Sequence, residues 1–246
     1  MESIQGIQGI EGIEGIEALL FDVGGTLLYP CPSVAETFAE IAQRRGHDLS
    51  AEQVERHIPA VDAFYEDAYR RDGDFWCSHE GSVGIWLDQY RLLCRLTGIG
   101  DDAEGMAHEV HEAYRAGDHW AVFPDARGCL AALKERGFAL GVVSNWDDEL
   151  EELLGDLGLL PFFDCVAASA ALGCRKPDPA IFQIACGRLG IPPERCLHVG
   201  DHPEADGDGA AAAGIRPLII DRGGELTSCR HERISSLEEV PLLLGA

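Results

Sequence analysis

Positive charge is scarce in this sequence. Its 246 residues include 19 lysines and arginines against 43 aspartates and glutamates, which gives a formal net charge of -24 at pH 7. This excess of negative charge repels nucleic-acid phosphates and anionic lipid, so we expect neither a nucleic acid nor a membrane as a partner. A small anion can still bind locally. Lysine itself occurs only at Lys134 and Lys176.

Paired metal-binding cysteines and long apolar runs are also absent. The nine cysteines are odd in number and include no Cys-x-x-Cys pair, which argues against a zinc site or a disulfide framework and indicates a reducing compartment. No apolar run reaches the roughly 18 to 20 residues of a membrane span, and the N-terminus has no basic region followed by an uninterrupted apolar one. We therefore expect a cytoplasmic protein.

The N-terminus is of low complexity. Residues 4–17 repeat the triplets Ile-Gln-Gly and Ile-Glu-Gly, a period that matches neither a helix nor a strand. We predict a flexible tail over residues 1–16, whose last few residues extend the first strand.

A block of about ninety residues after this first strand has a helical pattern. The sequences Ser33-x-x-Glu36 and Ser50-x-x-Gln53 are typical capping boxes ahead of apolar-periodic segments. Two more helices are predicted at 83–96 and 103–114. Their apolar stripes favour a four-helix bundle, and we assign residues 33–117 to an inserted helical domain.

The remaining chain, residues 17–32 and 118–246, alternates apolar strands with helices. Such alternation predicts an α/β fold with a doubly wound, parallel, Rossmann-like sheet and right-handed crossovers. Strands are predicted near 18–21, 138–143, 163–167, 196–199 and 217–220, and helices near 125–136, 148–157, 179–189, 204–213 and 235–244.

Polar side chains follow several of these strands. Asp22 ends the first strand and is followed by two glycines and Thr26, and the strand at 138–143 leads into Ser144 and Asn145. The carboxyl ends of parallel strands face the ligand crevice, so these residues are placed for chemistry. A hydroxyl and the amides that follow it can hold a phosphate-like oxygen, although Ser-Asn is also a common helix cap.

Two later segments add charged groups. Lys176 lies in Arg-Lys-Pro-Asp-Pro, where the prolines stiffen the chain, and its ammonium suits the neutralisation of a carboxylate beside an anionic substrate. Asp201 and Asp206 stand five residues apart after the strand at 196–199, and such carboxylates suit Mg²⁺. The competing interpretation is a dinucleotide loop at Gly207-x-Gly209-x-x-Ala212, but aspartates crowd the place of the pyrophosphate.

These pieces, in this order, resemble the motifs of the haloacid dehalogenase-like hydrolase superfamily, and the resemblance covers nearly everything from residue 17 onward. The family's motifs are Asp-x-Asp-x-Thr, a Ser or Thr, a Lys, and Gly-Asp-x-x-x-x-Asp. They match Asp22 to Thr26, Ser144, Lys176, and Gly200 to Asp206. The helical block at 33–117 is similar to the family's cap, inserted after the first motif.

The resemblance implies a Mg²⁺-dependent phosphatase or phosphotransferase for a small phosphorylated metabolite. Asp22 is then the nucleophile that forms an aspartyl-phosphate, and the phosphoryl group is held by Thr26, Ser144, Asn145 and Lys176. Magnesium is held, directly or through water, by Asp22, the Gly24 carbonyl, Asp201 and Asp206. Nothing in the sequence indicates an oligomeric state.

The chain departs from the family's phosphatases at Gly24, where they carry a second aspartate that protonates the leaving oxygen and later activates water. Loss of such an acid costs about 10² to 10⁴-fold in rate for a poor leaving group, but little for one that departs unprotonated, such as a phenolate or an acyl phosphate's carboxylate. Three histidines are candidate replacements: His202 beside Asp201, and His79 and His119 in or near the cap.

Other branches of the family also lack that aspartate. The phosphonate-cleaving enzymes need a cap lysine for an imine with substrate, and no lysine lies between residues 28 and 133. The 2-haloacid dehalogenases need no Mg²⁺ and have no reason to retain the carboxylates at 201 and 206. A catalytically silent protein that senses a ligand through the same site remains a further alternative.

Overall fold

A six-stranded parallel sheet forms the centre of the α/β core. The computed structural model describes residues 13–115 and 117–244. Six strands lie in the order β5-β4-β1-β6-β7-β8, with every neighbouring pair parallel, so the predicted doubly wound α/β fold is confirmed. In chain order the strands of the described residues are β1 (Ala18–Phe21), β2 (Leu28–Pro30), β3 (Trp120–Val122), β4 (Ala139–Ser144), β5 (Cys165–Ala168), β6 (Cys196–Gly200), β7 (Arg216–Ile220) and β8 (Glu232–Ile234).

Helices cover both faces of this sheet, which explains why β1 is apolar throughout. Successive side chains of a strand point to opposite faces. Leu19 and Phe21 pack into one core cluster with residues of α6, α7 and α11, and Leu20 packs on the other face with α9 and α10. The helices are α1 (Val34–Arg44), α2 (Ala51–Glu55), α3 (Ile58–Asp72), α4 (His79–Thr97), α5 (Ala103–Arg115), α6 (Ala126–Glu135), α7 (Leu150–Asp156), α8 (Ser169–Leu172), α9 (Pro179–Leu189), α10 (Gly209–Ala212) and α11 (Glu239–Leu243).

Helices α1 to α5 lie between β2 and β3 in the chain and pack around their own apolar cluster, and this helical block is called the cap below. Both predicted capping boxes are present, at Ser33 and at Ser50. The predicted single helix after Ser50 was wrong, because it is broken between Glu55 and Ile58. Pro59, which has no backbone N–H, lies in the first turn of α3, where a proline is tolerated, and so marks a new helix start.

A short antiparallel ribbon joins cap and core, and the sequence pattern did not predict it. In this ribbon Leu28 of β2 pairs with Val122 of β3, and Pro30 pairs with Trp120. The chain therefore leaves the core and returns to it along two adjacent strands. Trp120 contacts the apolar clusters of both domains and links them at this crossing.

The end of the N-terminal repeat packs on the core. Ile13 is buried, and its N–H donates to the Leu243 carbonyl at 2.7 Å, so the predicted flexible tail does not extend through this residue. The rest of that prediction, at residues 1–12, lies outside the described residues. No described helix has both the length and the apolar character needed to cross a bilayer.

Candidate active site

The predicted site residues gather at the carboxyl ends of the central strands, around a cavity of about 280 Å³. Asp22 follows β1, Ser144 ends β4, and Asp201 follows β6, while a loop after α8 brings in Lys176. Because β4, β1 and β6 are neighbours in the sheet, residues far apart in sequence meet at one edge. The cavity is also lined by Gly24, Asn145 and Asp206, together with His202 and residues of the cap.

Asp22 is held by two donors. Ser144 Oγ donates to its Oδ1 at 2.9 Å, and the Lys176 ammonium contacts the same oxygen at 2.5 Å. All three side chains are nearly inaccessible to solvent. A carboxylate fixed in this way has one oxygen anchored and the other free to face the cavity, which is the arrangement that a nucleophile requires.

Asp206 is the best-compensated carboxylate of the site. Lys176 Nζ lies 2.6 Å and His198 Nε2 2.9 Å from its Oδ1, and the His202 N–H donates to its Oδ2 at 3.0 Å. Burial alone raises the pKa of Asp206, but Lys176 and His198 together hold it well below its usual range. Burial likewise opposes the charge of Lys176, yet Asp206 and Asp22 raise its pKa. Asp206 therefore anchors Lys176 as well as facing the cavity.

Asp22 shares the charge of Lys176 with Asp206, and no ion pair among the described residues involves Asp201. One carboxylate oxygen from each of Asp22, Asp201 and Asp206 lies within 4.8 Å of the others. Burial, and then repulsion from Asp206, raise the pKa of Asp22 against the opposing effect of Lys176. Asp201 is more exposed as a residue, but lost hydration of its carboxyl and repulsion from Asp22 raise its pKa as well.

This donor set fits a divalent cation. The described lining of the cavity contains no lysine or arginine other than Lys176, which leaves three carboxylates against one fixed positive charge. Oxygen ligands with surplus negative charge are what Mg²⁺ prefers, and it needs only one or two protein carboxylates. A Cβ at Gly25, whose φ is +71°, would overlap the Asp201 carboxylate, so this glycine lets the loop after β1 approach the cluster.

The backbone of Lys176 is held by hydrogen bonds to three residues. Its carbonyl accepts hydrogen bonds from the Tyr69 hydroxyl at 2.8 Å, from Arg175 Nη1 at 3.0 Å and from Asn145 Nδ2 at 3.1 Å. Its N–H donates to Asn145 Oδ1 at 2.8 Å. Asn145 was predicted to bind substrate, but both ends of its amide are engaged by Lys176, so its side chain positions the lysine.

Thr26 does not reach the cavity. The residue is fully buried, it is not part of the described lining, and its hydroxyl has no hydrogen-bond partner among residues 13–115 and 117–244. Its carbonyl accepts from Arg222 Nη2 at 2.8 Å, and Asp125 in turn holds that guanidinium at 2.8 and 3.0 Å. The expectation that the Thr26 side chain holds the phosphoryl group is thus not supported by this arrangement. The bracing by Arg222 was missed, since it joins residues 196 positions apart.

Of the three candidate histidines, His202 alone lines the cavity. Its Nδ1 accepts from the Ala205 N–H at 3.1 Å, which places the proton of the neutral ring on Nε2. His79 instead lies 2.6 Å from Asp148 on the surface, and His119 packs against the ring of Tyr114. A neutral His202 is therefore a hydrogen-bond donor through Nε2.

Aromatic residues of the cap form the opposite wall, and sequence reasoning missed them. Tyr65, Tyr69, Trp76 and Trp86 line the cavity above Asp22. The Trp76 Nε1–H donates to the Tyr65 hydroxyl at 3.0 Å, and burial raises the pKa of Tyr65 to about 12. The only sequence signal was the density of aromatic residues in this part of the cap.

The glycines of the alternative dinucleotide loop serve packing. A Cβ at Gly207 would overlap the ring of His231, and one at Gly209 would lie 2.9 Å from Phe182 and from Pro177. The close packing of side chains against both glycines leaves no open cradle for a pyrophosphate.

Comparison with known proteins agrees with this geometry. A model of the haloacid dehalogenase-like hydrolase family matches residues 16–214. Haloacid dehalogenase-like hydrolase domain-containing protein 3 of Mus musculus is 32% identical over 233 residues, which cover 92% of this chain and 90% of that protein. Phosphoserine phosphatase of Thermus thermophilus is 38% identical over 220 residues, covering 83% and 88%. A crystal structure described as a dehalogenase aligns with a TM-score of 0.70 and 26% identity, covering 95% and 99%. The chain therefore belongs to the haloacid dehalogenase-like hydrolase family, and it is a hydrolase.

Proposed function

We propose that this hydrolase is a Mg²⁺-dependent phosphatase or phosphotransferase that acts on a small phosphorylated metabolite through Asp22. The observation that carries the proposal is the placement of Asp22 between Ser144 and Lys176, beside the uncompensated charge of Asp201. A transferring phosphoryl group brings negative charge, and a site with surplus carboxylates can accept it only together with a cation. The phosphoserine phosphatase relative supports the same class.

Asp22 attacks phosphorus with its free oxygen, and the bond from phosphorus to the leaving oxygen breaks. Ser144 and Lys176 remain on Oδ1, where they orient the carboxylate and offset part of the charge that the phosphoryl oxygens bring. Water then attacks the aspartyl-phosphate and restores Asp22, or an acceptor hydroxyl does so in a phosphotransfer. Asp22, Asp201, Asp206 and the Gly24 carbonyl would hold Mg²⁺, which would supply electrostatic stabilisation for the charge of the phosphoryl group.

The second candidate function is a 2-haloacid dehalogenase, and Gly24 favours it. An attack on carbon expels a halide, which needs no proton, so a missing acid costs nothing there. The three clustered carboxylates oppose it, because an uncompensated Asp201 beside the nucleophile serves no purpose without a cation. Turnover of a 2-chloro acid in EDTA, with no turnover of phosphate esters in Mg²⁺, would replace the phosphatase proposal with this one. If the protein turns over neither kind of substrate but still binds Mg²⁺, the alternative of a catalytically silent ligand-binding protein is favoured.

We expect Mg²⁺ to raise the melting temperature, because a ligand that binds only the folded state stabilises it by mass action. At about 100 times its Kd the stabilisation is about 2.7 kcal/mol, which is several degrees for a domain of this size. Asp201→Ala should remove the shift. Asp148→Ala is the matched control, since Asp148 is a surface partner of His79 outside the cavity. Calorimetry with Mg²⁺ and with EDTA measures both, and an unchanged shift in Asp201→Ala would argue against its role as a ligand.

Lys176→Ala should weaken inhibition by vanadate about 10- to 100-fold, because hydrogen bonds to charged groups contribute about 1.5–3 kcal/mol each. The second lysine provides the control, because Lys134 pairs with Asp164 at the surface and does not line the cavity. Vanadate should therefore inhibit the Lys134→Ala variant as strongly as it inhibits wild type. Equal vanadate inhibition of both variants would show that Lys176 has no part in anion binding.

A further inference from the structure

A second cavity of about 80 Å³ lies between cap and core, next to the first. Its walls are mainly aromatic, and four of the rings contact one another in sequence. Tyr90 stacks on Tyr114 with ring centroids 6.5 Å apart, Tyr114 meets Trp120 at 5.5 Å, and Trp120 meets Trp146 at 5.1 Å. Val34 and Leu153 contribute aliphatic surface.

Two of these rings have their polar atoms paired within the protein. The Trp120 Nε1–H donates to the Tyr114 carbonyl at 3.0 Å, and the Tyr114 hydroxyl contacts Thr37 Oγ1 at 3.3 Å. Burial also disfavours the charged forms of the ionisable residues nearby, since it lowers the pKa of His111 and raises that of Asp147. The cavity therefore suits an apolar group.

The two cavities share a wall. Trp86 and Trp146 line both of them, and a Cβ at Gly24 would lie 3.4 Å from Trp146 Cζ3. A molecule whose phosphoryl group meets Asp22 would have these two tryptophans beside it, with the second cavity on their other side. Gly24, which has no side chain, therefore lies next to the tryptophans that separate the two cavities.

Size and charge restrict what the second cavity can hold. A cavity of about 150 Å³ binds benzene, and this one has about half that volume, so its size suits a short aliphatic chain rather than an aromatic ring. Lys176 is the only lysine or arginine in the described lining of the Asp22 cavity, and Asp22 and Asp206 already engage it. Arg115 lines the second cavity, but it already pairs with Glu112 and Glu149. A leaving group that carries an additional carboxylate therefore finds every cation in the described lining of the two cavities already engaged.

From these restrictions we propose that the substrate is the acyl phosphate of a short, unsubstituted aliphatic acid; the inference rests on the phosphatase function proposed above. Asp22 attacks phosphorus, the bond between phosphorus and the acyl oxygen breaks, and its electron pair leaves on a carboxylate that needs no proton. Water then attacks phosphorus, the bond from phosphorus to Asp22 breaks, and the proton of the water leaves with the phosphate. Both leaving groups are carboxylates, so neither departure needs the acid that is missing at Gly24; the attack of water proceeds without the base that such a residue would supply.

Acetyl, propionyl and butyryl phosphate test this proposal, because their leaving groups have nearly the same acidity and differ only in chain length. Each methylene buried contributes about 0.8 kcal/mol, so kcat/KM should rise about fourfold per added methylene. Benzoyl phosphate should fall below butyryl phosphate because its ring exceeds the cavity. Equal kcat/KM for the three aliphatic substrates, or a preference for the benzoyl ester, would overturn the inference.

Substitutions at Val34 separate this cavity from general effects on the fold. Val34→Phe, which fills the cavity, should make kcat/KM nearly independent of chain length. Val34→Ala, which enlarges the cavity, should let kcat/KM continue to rise for chains longer than butyryl. Val83→Ala is the control, since Val83 packs in the cap but lines neither cavity. This variant should keep the wild-type increase of kcat/KM with chain length. If Val34→Phe leaves that increase unchanged as well, the acyl chain does not occupy this cavity.

Binding provides a readout without turnover. Quenching of tryptophan fluorescence should show butylphosphonate binding more tightly than methylphosphonate, and Val34→Phe should remove the difference. If no acyl phosphate is hydrolysed, the substrate inference fails. The phosphatase proposal then still stands if an aryl phosphate is hydrolysed by wild type and not by Asp22→Asn, and it fails as well if neither reaction occurs.

Discussion

Asp22→Asn is expected to lower the turnover of every phosphate ester by more than about a hundredfold while leaving the fold intact, because a neutral amide is a very poor nucleophile toward phosphorus. Ser144 and Lys176 can still contact the amide oxygen, so the surrounding structure keeps its hydrogen bonds. Steady-state kinetics with an aryl phosphate in Mg²⁺ measures the loss. Residual turnover above about a hundredth of wild type would count against Asp22 as the nucleophile.

The stability of the same variant checks that the loss is chemical. A carboxyl whose folded pKa is raised loses stabilisation as the pH climbs through that pKa, so ionised Asp22 is a cost to the fold at neutral pH. In EDTA, Asp22→Asn should therefore melt at or above the wild-type temperature. Asp148→Asn, at an exposed carboxylate outside the cavity, should keep full activity. A lower melting temperature for Asp22→Asn would mean that the lost turnover reflects a damaged site.

Alkyl phosphates are expected to react far more slowly than aryl phosphates, and Gly24→Asp should reduce this difference by about 10² to 10⁴-fold. The reason is that wild type has no carboxyl at residue 24 to protonate a basic leaving oxygen. The measurement is the dependence of the rate on the pKa of the leaving group, which gives one slope for wild type and one for the variant.

The local structure makes this substitution practical. Gly24 is not among the glycines with a positive φ, and a Cβ there would meet Trp146 Cζ3 at 3.4 Å, an ordinary contact distance. Gly24→Asn is the matched control, since it has nearly the same shape without an acid and should leave the slope steep. Similar rates for alkyl and aryl phosphates in wild type would show that another group donates the proton. His202→Ala is then the first test, and Tyr65→Phe in the cap the second.

The sequence predicted the core of the site because each motif follows a buried strand. Asp22, Ser144 and Asp201 stand at strand ends, and a parallel sheet brings such ends together whatever the exact loop lengths. Lys176 was predicted from chemistry, as a rare lysine between prolines. The cap helices with capping boxes were also well defined, since a cap is a local interaction that spans four residues.

The parts that were missed depend on contacts distant in the chain. Nothing local to Thr26 shows that its hydroxyl is buried beneath the loop, or that Arg222 supports its carbonyl. In the sequence His198 lies within an apolar run and carries no signal of its own. The helical turn at residues 203–208 brings the Asp206 carboxylate back to the His198 ring. The aromatic wall of the cap likewise forms only when the ribbon β2–β3 sets the cap over the core.

The carbonyl of Lys176 makes the position of the cap a condition of catalysis. Tyr69 belongs to α3 of the cap, whereas Asn145 and Arg175 belong to the core, and all three donate to this one oxygen. Any movement that lifts α3 removes one of the three donors from the residue whose ammonium holds the nucleophile. An opening of the cap that carried α3 away would therefore also loosen the lysine, so access to the site and alignment of Asp22 would change together.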